Sequence, residues 1–256
     1  MHSIVAAVAT SLLASLAGSI SVFRKSTFLV AASAHAALAG ASLAVMLNSF
    51  GVEVDELLVT LLFATLMTAM SARISKEPDV GASLVFAISM GLAALFLSLS
   101  REKAAVAWNL LFGDLMLLGQ REVAALAVAA SVVAIVFAAS FSDFLFVAFD
   151  REGAEVYGVN CGLVDLAAAV IVAVSTVAAL RAVGAVLIYA LFVAPAAASL
   201  HVSRSVGQSI ALSFAIALLS LILGVAASYA LKISASAAAA IVASLVYLSI
   251  YKARTE

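Results

Sequence analysis

The sequence predicts an all-α protein, a polytopic bundle of about 8–9 transmembrane helices. Of its 256 residues, 66% are hydrophobic and only 11% are charged, and the mean hydropathy is +1.25. A typical soluble domain is about 45–50% apolar and about 25% charged. This composition excludes a soluble globular enzyme and a disordered chain, because a domain of this size still exposes roughly a quarter to a third of its chain surface. The net charge of −1 argues against a nucleic-acid partner.

Uncharged blocks long enough to cross a bilayer follow one another along the chain. A transmembrane helix needs about 20 mostly apolar residues, and short charged segments separate the blocks. Alternating segments of about 10 residues, which a transmembrane barrel would need, are absent. The predicted spans lie near residues 4–22, 28–48, 55–73, 80–100, 121–141, 162–180, 183–201, 206–228 and 233–251.

The first block and the segment 104–119 determine the number of spans. The first three residues lack the Lys or Arg of a secretory signal, so we expect the first block to remain as a span. The segment 104–119 has ten uncharged residues before Asp114, too few to cross, and we expect a short outer-face or re-entrant helix there. We predict one membrane domain over residues 1–256, with a tight turn at Arg181.

The positions of Lys and Arg predict the orientation of the chain. With the N-terminus outside, eight basic residues fall on the inner face and five on the outer face, as the positive-inside rule requires. An N-out, C-in chain needs an odd number of crossings, which nine spans satisfy. The inner residues are Arg24, Lys25, Arg73, Lys76, Arg151, Arg204, Lys252 and Arg254, and the outer residues are Arg101, Lys103, Arg121, Arg181 and Lys232.

A polar break over residues 142–160 separates the fifth and sixth predicted spans. Asp150 is suited to cap a helix that begins at Arg151, with Glu152 in its first turn. Gly158 lies where such a helix of about two turns would end. The segment is therefore either an ordinary loop helix or a docking helix for a soluble partner on the cytoplasmic face.

This break resembles a segment of a known family, the permease subunits of ABC importers for zinc, manganese and iron. The family carries D-P-E-x-A-x-x-x-G after its fifth span, and Asp150, Glu152, Ala154 and Gly158 match it in register. Arg151 replaces the proline of the family. The resemblance implies that residues 143–160 contain the coupling segment that sits in a groove of an ATPase subunit.

Three further stretches resemble the same family in the same order. Residues 109–115, NLLFGDL, are similar to its L-F-G-D/S/N segment. In residues 181–199 the matching positions are Val183, Gly184, Ala190, Leu191, Pro195, Ala196 and Ala197. In residues 24–43 they are Arg24, Ser26, Phe28, His35, Ala36 and Gly40.

The resemblance implies an ABC importer permease that carries a divalent metal ion as its substrate and holds no permanent cofactor. Its implied partners are a second copy of itself, cytoplasmic ATPase subunits and an extracytoplasmic metal-binding protein, in the cell membrane. The chain has no G-x-x-x-x-G-K-[ST] phosphate loop, so we expect it to be no enzyme and ATP to be hydrolysed by another subunit. The alternatives are a siderophore or cobalamin permease, or a carrier or channel that works alone.

His35 is the candidate metal ligand or gate within the spans. An ionisable residue inside a membrane helix is a functional candidate because its burial is costly, and imidazole is a common ligand for zinc, manganese and iron. A neutral His bonded to a Ser of a neighbouring helix is the alternative. The family usually has Asp four residues earlier, on the same helical face, and this chain has Ala31 there.

Gly184 and Pro195 are the candidate helix breaks of an alternating-access pathway. Gly184 permits a helix start or a close approach, and Pro195 removes a hydrogen bond inside a helix. We interpret Asp165 and His201 as interfacial residues. The acidic residues between 53 and 56 form either a cation-attracting or docking surface, or a solvated loop.

Overall fold

The protein is an all-helical bundle in the computed structural model, which describes residues 2–75, 77–100, 109–113, 115 and 118–255. No strand occurs among these residues. The long helices before the polar break are α1 His2–Phe23, α2 Phe28–Ser49, α3 Glu56–Ile74, α4 Pro78–Leu99 and α5 Gln120–Ala139. The helices after them are α6 Phe141–Phe149, α7 Arg151–Val156, α8 Cys161–Val183, α9 Ala185–Val202, α10 Val206–Leu231 and α11 Ala235–Thr255.

The predicted spans correspond to nine long helices. Eight of them are long and apolar enough to cross a membrane, and α3 contains a shorter apolar stretch, Glu56–Ser71. The predicted helix over 104–119 lies largely outside the described residues, as do Asp114, Lys76, Arg101 and Lys103. Within that segment, residues 109–112 are helical. The described part of the chain therefore has the predicted class, with eight candidate spans and α3 as a further long helix with a shorter apolar stretch.

The loops between consecutive long helices lie alternately at the two ends of the bundle. At one end, Arg24 after α1 pairs with Asp165 near the start of α8. At the other end, Arg181 near the end of α8 pairs with Glu56 and Glu122, which begin α3 and α5. We call these the α7 end and the Arg181 end. This alternation agrees with an odd number of crossings.

Helices α1, α2 and α8 form the inner part of the bundle. In these helices 72%, 78% and 61% of the span is buried, against 28% in α4, α5 and α10. Helix α2 packs against α3, α4, α8 and α9. Outer faces keep large apolar side chains exposed, such as Ile135 on α5 and Ile222 on α10, as expected of surfaces that face lipid.

Small residues and hydroxyl groups hold the inner helices together. A Cβ atom on Gly40 would lie 2.9 Å from the Cα atom of Thr60, so α2 and α3 approach too closely for any larger residue. Ser33 of α2 and Thr176 of α8 share a hydrogen bond of 2.7 Å. Close backbone approach and interhelical hydrogen bonds replace the hydrophobic driving force that lipid does not supply.

Candidate functional site

The segment after α5 forms the predicted capped helix at the α7 end. The Asp150 carboxylate accepts a hydrogen bond of 2.9 Å from the Gly153 backbone N–H, which confirms that Asp150 caps α7. Gly158 adopts a φ of 82°, and its N–H donates to the Glu155 carbonyl. A residue of this conformation is typical of a helix end.

One side of this segment packs on the bundle and the other projects from it. Ala154 is fully buried, and Phe144 and Val147 of α6 are 5% and 6% exposed. On the outer side, Val156 and Tyr157 are 85% and 82% exposed. The outer side of the segment is therefore accessible to a partner.

Asp165 connects the segment to the transmembrane helices. Its carboxylate accepts hydrogen bonds from Arg151 of α7, with Nη2 to Oδ2 at 3.0 Å and Nη1 to Oδ1 at 3.3 Å. Arg24, in the turn between α1 and α2, donates from Nη2 to the same carboxylate. The bonds to Asp165 raise the pKa of the Arg151 guanidinium, which is charged at physiological pH even without them. The sequence placed Asp165 at an interface but did not reveal this pairing.

His35 lies on the buried α2 helix, about two turns from its start. Its side chain is 8% exposed, and its ring centre lies 4.4 Å from that of Phe86 on α4. Its Nδ1 lies 3.0 Å from the Ala31 carbonyl oxygen of its own helix. The His35 ring therefore bonds to its own helix, and not to a Ser of a neighbouring helix as the alternative interpretation expected. Nε2 remains the nitrogen that a ligand role would require.

No preformed metal cage accompanies His35. Among the described residues, no three His, Cys, Asp or Glu side chains are grouped closely enough to hold a metal ion. The Asn48 side chain, near the end of α2, accepts a hydrogen bond of 2.9 Å from the Val54 N–H and so organises the loop before α3. His201 lies at the α7 end with its ring 5.9 Å from Tyr247, which agrees with an interfacial position.

The predicted turn at Arg181 is wrong by three residues. Helix α8 continues through Arg181 to Val183, and the break falls at Gly184, whose φ is 88°. Arg181 lies in the last turn of α8, and its guanidinium pairs with Glu56 and Glu122 at 2.7 and 2.6 Å. A Cβ on Gly113 would lie 2.5 Å from the Gly184 nitrogen, so Gly184 provides both the predicted helix start and a close approach.

Pro195 lies inside α9, which continues on both sides of it. The acidic residues before α3 are used structurally: the Asp55 carboxylate accepts from the Leu58 N–H at 2.7 Å and caps α3, and Glu56 pairs with Arg181. Beneath Arg181, a cavity of about 440 Å³ lies between α3, α5 and α8. The apolar part of its lining includes Leu126, Val174 and Val177.

Comparison with known proteins places this helical bundle in a family. The family model described as "ABC 3 transport family" matches residues 1–253. A protein of Thermotoga maritima named "Probable metal transport system membrane protein" is 29% identical over 192 residues, which cover 72% of this chain and 66% of that protein. The manganese transport system membrane protein MntC of Listeria monocytogenes is 23% identical over 195 residues, covering 76% and 69% of the two chains.

A solved structure shares the fold. PsaBC from Streptococcus pneumoniae, in complex with Fab, has a TM-score of 0.86 and 18% sequence identity, and the match covers 97% of this chain and 89% of that one. The present chain spans about two thirds of the length of the Thermotoga relative. Because the family model matches nearly the whole chain, this protein belongs to the ABC 3 transport family.

Proposed function

We propose that this chain is the membrane permease subunit of an ATP-driven importer, and that it forms the pathway of a divalent metal ion: zinc, manganese or iron. The observation that carries the proposal is the α6–α7 segment, which is capped by Asp150, anchored by Ala154 and exposed at Val156 and Tyr157. Family membership supports a transport role. The names of the relatives support a metal as the cargo.

The partners follow from this role. A cytoplasmic ATPase subunit binds the α7 end, a second copy of the chain completes the pathway, and an extracytoplasmic protein delivers the metal at the Arg181 end. The greater number of Lys and Arg residues assigned to the α7 end supports its cytoplasmic location in the cell membrane. The chain acts as one membrane domain over residues 1–256, and residues 143–160 form its coupling segment.

The docking role is tested by Glu152→Lys. Glu152 is exposed on α7, so reversal of its charge weakens capture of the co-expressed ATPase subunit while the bundle stays folded. Glu77→Lys is the matched control, because Glu77 is exposed in the loop before α4 at the same end of the bundle. Capture of the ATPase subunit at the wild-type level by Glu152→Lys would contradict the docking role.

The energy source separates this proposal from a carrier or channel that works alone. The purified chain is expected to hydrolyse no ATP, and vesicles that contain it are expected to take up metal only with the ATPase subunit and ATP. Uptake driven by a proton or sodium gradient without that subunit would establish the alternative. Uptake of a metal chelate in preference to the free ion would establish the siderophore or cobalamin alternative.

We propose His35 as a weak, transient metal ligand or gate. It is buried on the inner helix α2 and turns Nδ1 toward the Ala31 carbonyl, which leaves Nε2 for a ligand. The missing carboxylate at Ala31 accounts for weak binding, since a lone imidazole holds a metal less firmly than an imidazole and a carboxylate together. Gly184 and Pro195 are proposed as the helix breaks that the pathway uses.

Metal uptake by His35→Ala tests this role. We expect slower uptake with unchanged expression and ATPase binding, and we expect Ala31→Asp to retain metal more tightly because residues four apart share a helical face. His201→Ala is the control, since that His lies at the α7 end against Tyr247. Unchanged uptake in His35→Ala would remove this residue from the pathway without affecting the assignment to the family.

A further inference from the structure

Asp165 is a junction between three separate parts of the chain. Its carboxylate, on α8, binds Arg151 at the start of α7 and Arg24 in the turn between α1 and α2. One carboxylate offers about four lone-pair positions, which suffices for both guanidinium groups. The docking helix and the start of α2 are therefore linked through a single side chain.

Partial burial distinguishes the Arg24–Asp165 pair of this junction from a surface ion pair, whereas Arg151 is 51% exposed. The side chains of Asp165 and Arg24 are 20% and 21% exposed, so water screens their attraction less than at an open surface. Nη1 of Arg24 is buried and has no hydrogen-bond partner in the described part of the chain. Asp165 is thus the hydrogen-bond and ion-pair partner of the Arg24 guanidinium in the described part of the chain.

The turn that carries Arg24 is rigid enough to transmit a displacement. The N–H groups of Arg24, Lys25 and Ser26 donate to the carbonyl oxygens of Ile20, Val22 and Ser21 at 2.9–3.1 Å. Lys25 adopts a φ of 53°, which closes the turn tightly. Helix α2 begins at Phe28, so a shift of Arg24 moves the start of the helix that carries His35.

We propose that Asp165 is a positioning residue that passes movement of the docked α7 helix to the α1–α2 turn and so to α2. This inference rests on the proposed function, because it requires an ATPase subunit that displaces α7. Without Asp165, Arg24 and Arg151 keep their charges but lose their common partner. The α7 helix then moves without carrying α2 with it.

The test uses the complete transporter, with its ATPase subunit and binding protein, in lipid vesicles. Asp165→Asn is expected to bind the ATPase subunit and hydrolyse ATP as the wild type does, while metal uptake per ATP hydrolysed falls about fivefold or more. Asp165→Glu keeps the carboxylate and is expected to restore most of the uptake. Asp79→Asn is the control, because Asp79 is exposed in the first turn of α4 at the same end.

A second variant covers the case in which Asp165→Asn does not fold. Arg24→Gln cuts the link to α2 and leaves Arg151 paired with Asp165, and the same loss of uptake per ATP is expected. Uptake per ATP at the wild-type level in either folded variant would overturn the inference. Failure of the wild-type chain to bind an ATPase subunit would instead contradict the proposed function.

Discussion

The two ends of the bundle hold their helices with ion clusters of opposite composition. At the α7 end one carboxylate, Asp165, binds two arginines, Arg24 and Arg151. At the Arg181 end one arginine binds two carboxylates, Glu56 and Glu122. Each cluster joins three elements, and each has its central residue on α8.

The difference lies in burial and in what each cluster connects. The central carboxylate Asp165 and its partner Arg24 are 20% and 21% exposed, although Arg151 is 51% exposed. The central Arg181 is 49% exposed, and its two partners are 34% and 33% exposed. The α7 cluster attaches a short helix outside the spans, and the Arg181 cluster ties two spans, α3 and α5, over a cavity. Arg181 follows Asp165 by about 24 Å along α8. Helix α8 is therefore the element through which both ends are fixed.

The largest expected effect concerns the two glycines that end helices at opposite ends. Gly184 and Gly158 have similar φ values, 88° and 82°. A Cβ atom on Gly184 would overlap the backbone of Phe112 and Gly113. A Cβ atom on Gly158 would have no other atom within 4 Å. Gly184→Ala should lower the free energy of unfolding by about 2–5 kcal/mol and Gly158→Ala by about 1–2 kcal/mol. Thermal unfolding in detergent measures both, and equal losses would refute the role of crowding at Gly184.

The second effect compares the two central residues. Asp165→Asn should lower the free energy of unfolding by about 1–3 kcal/mol, because it leaves the partly buried Arg24 guanidinium without its charged partner. Arg181→Gln should cost about 1 kcal/mol or less, since Arg181 is itself 49% exposed and water screens its ion pairs. The same unfolding measurement ranks them. A larger loss for Arg181→Gln would reverse the interpretation of the two ends.

The smallest effect is the response to salt. Double-mutant cycles measure the coupling energies of two pairs, Glu122 with Arg181 and Arg24 with Asp165. Gln replaces each charged residue, except that Asn replaces Asp165. Raising the salt from about 0.1 M to about 1 M shortens the Debye length from about 10 Å to about 3 Å. The coupling at Arg181 should fall by a larger fraction than the coupling at Asp165. Equal fractional losses would show that burial does not distinguish the clusters.

Local signals in the sequence determined most of the helices. The spans follow from uncharged blocks, because the hydropathy of about 20 consecutive residues decides whether a helix can lie in lipid. The cap at Asp150 and the end at Gly158 were also predictable, since capping involves residues within one turn of each other. The close contact between Nδ1 of His35 and the Ala31 carbonyl is equally local, four residues away on one helix.

Only the tertiary structure decided which distant charges meet. Arg24 and Asp165 are 141 residues apart, and no spacing rule relates them. Arg181 marked a turn in the sequence because an isolated charge is costly inside a span. In the folded chain Glu56 and Glu122 pair with it, and α8 continues to Val183. The sequence determined which segments are long and apolar enough to span a membrane, and long-range ion pairing determined how the two ends of the bundle are held.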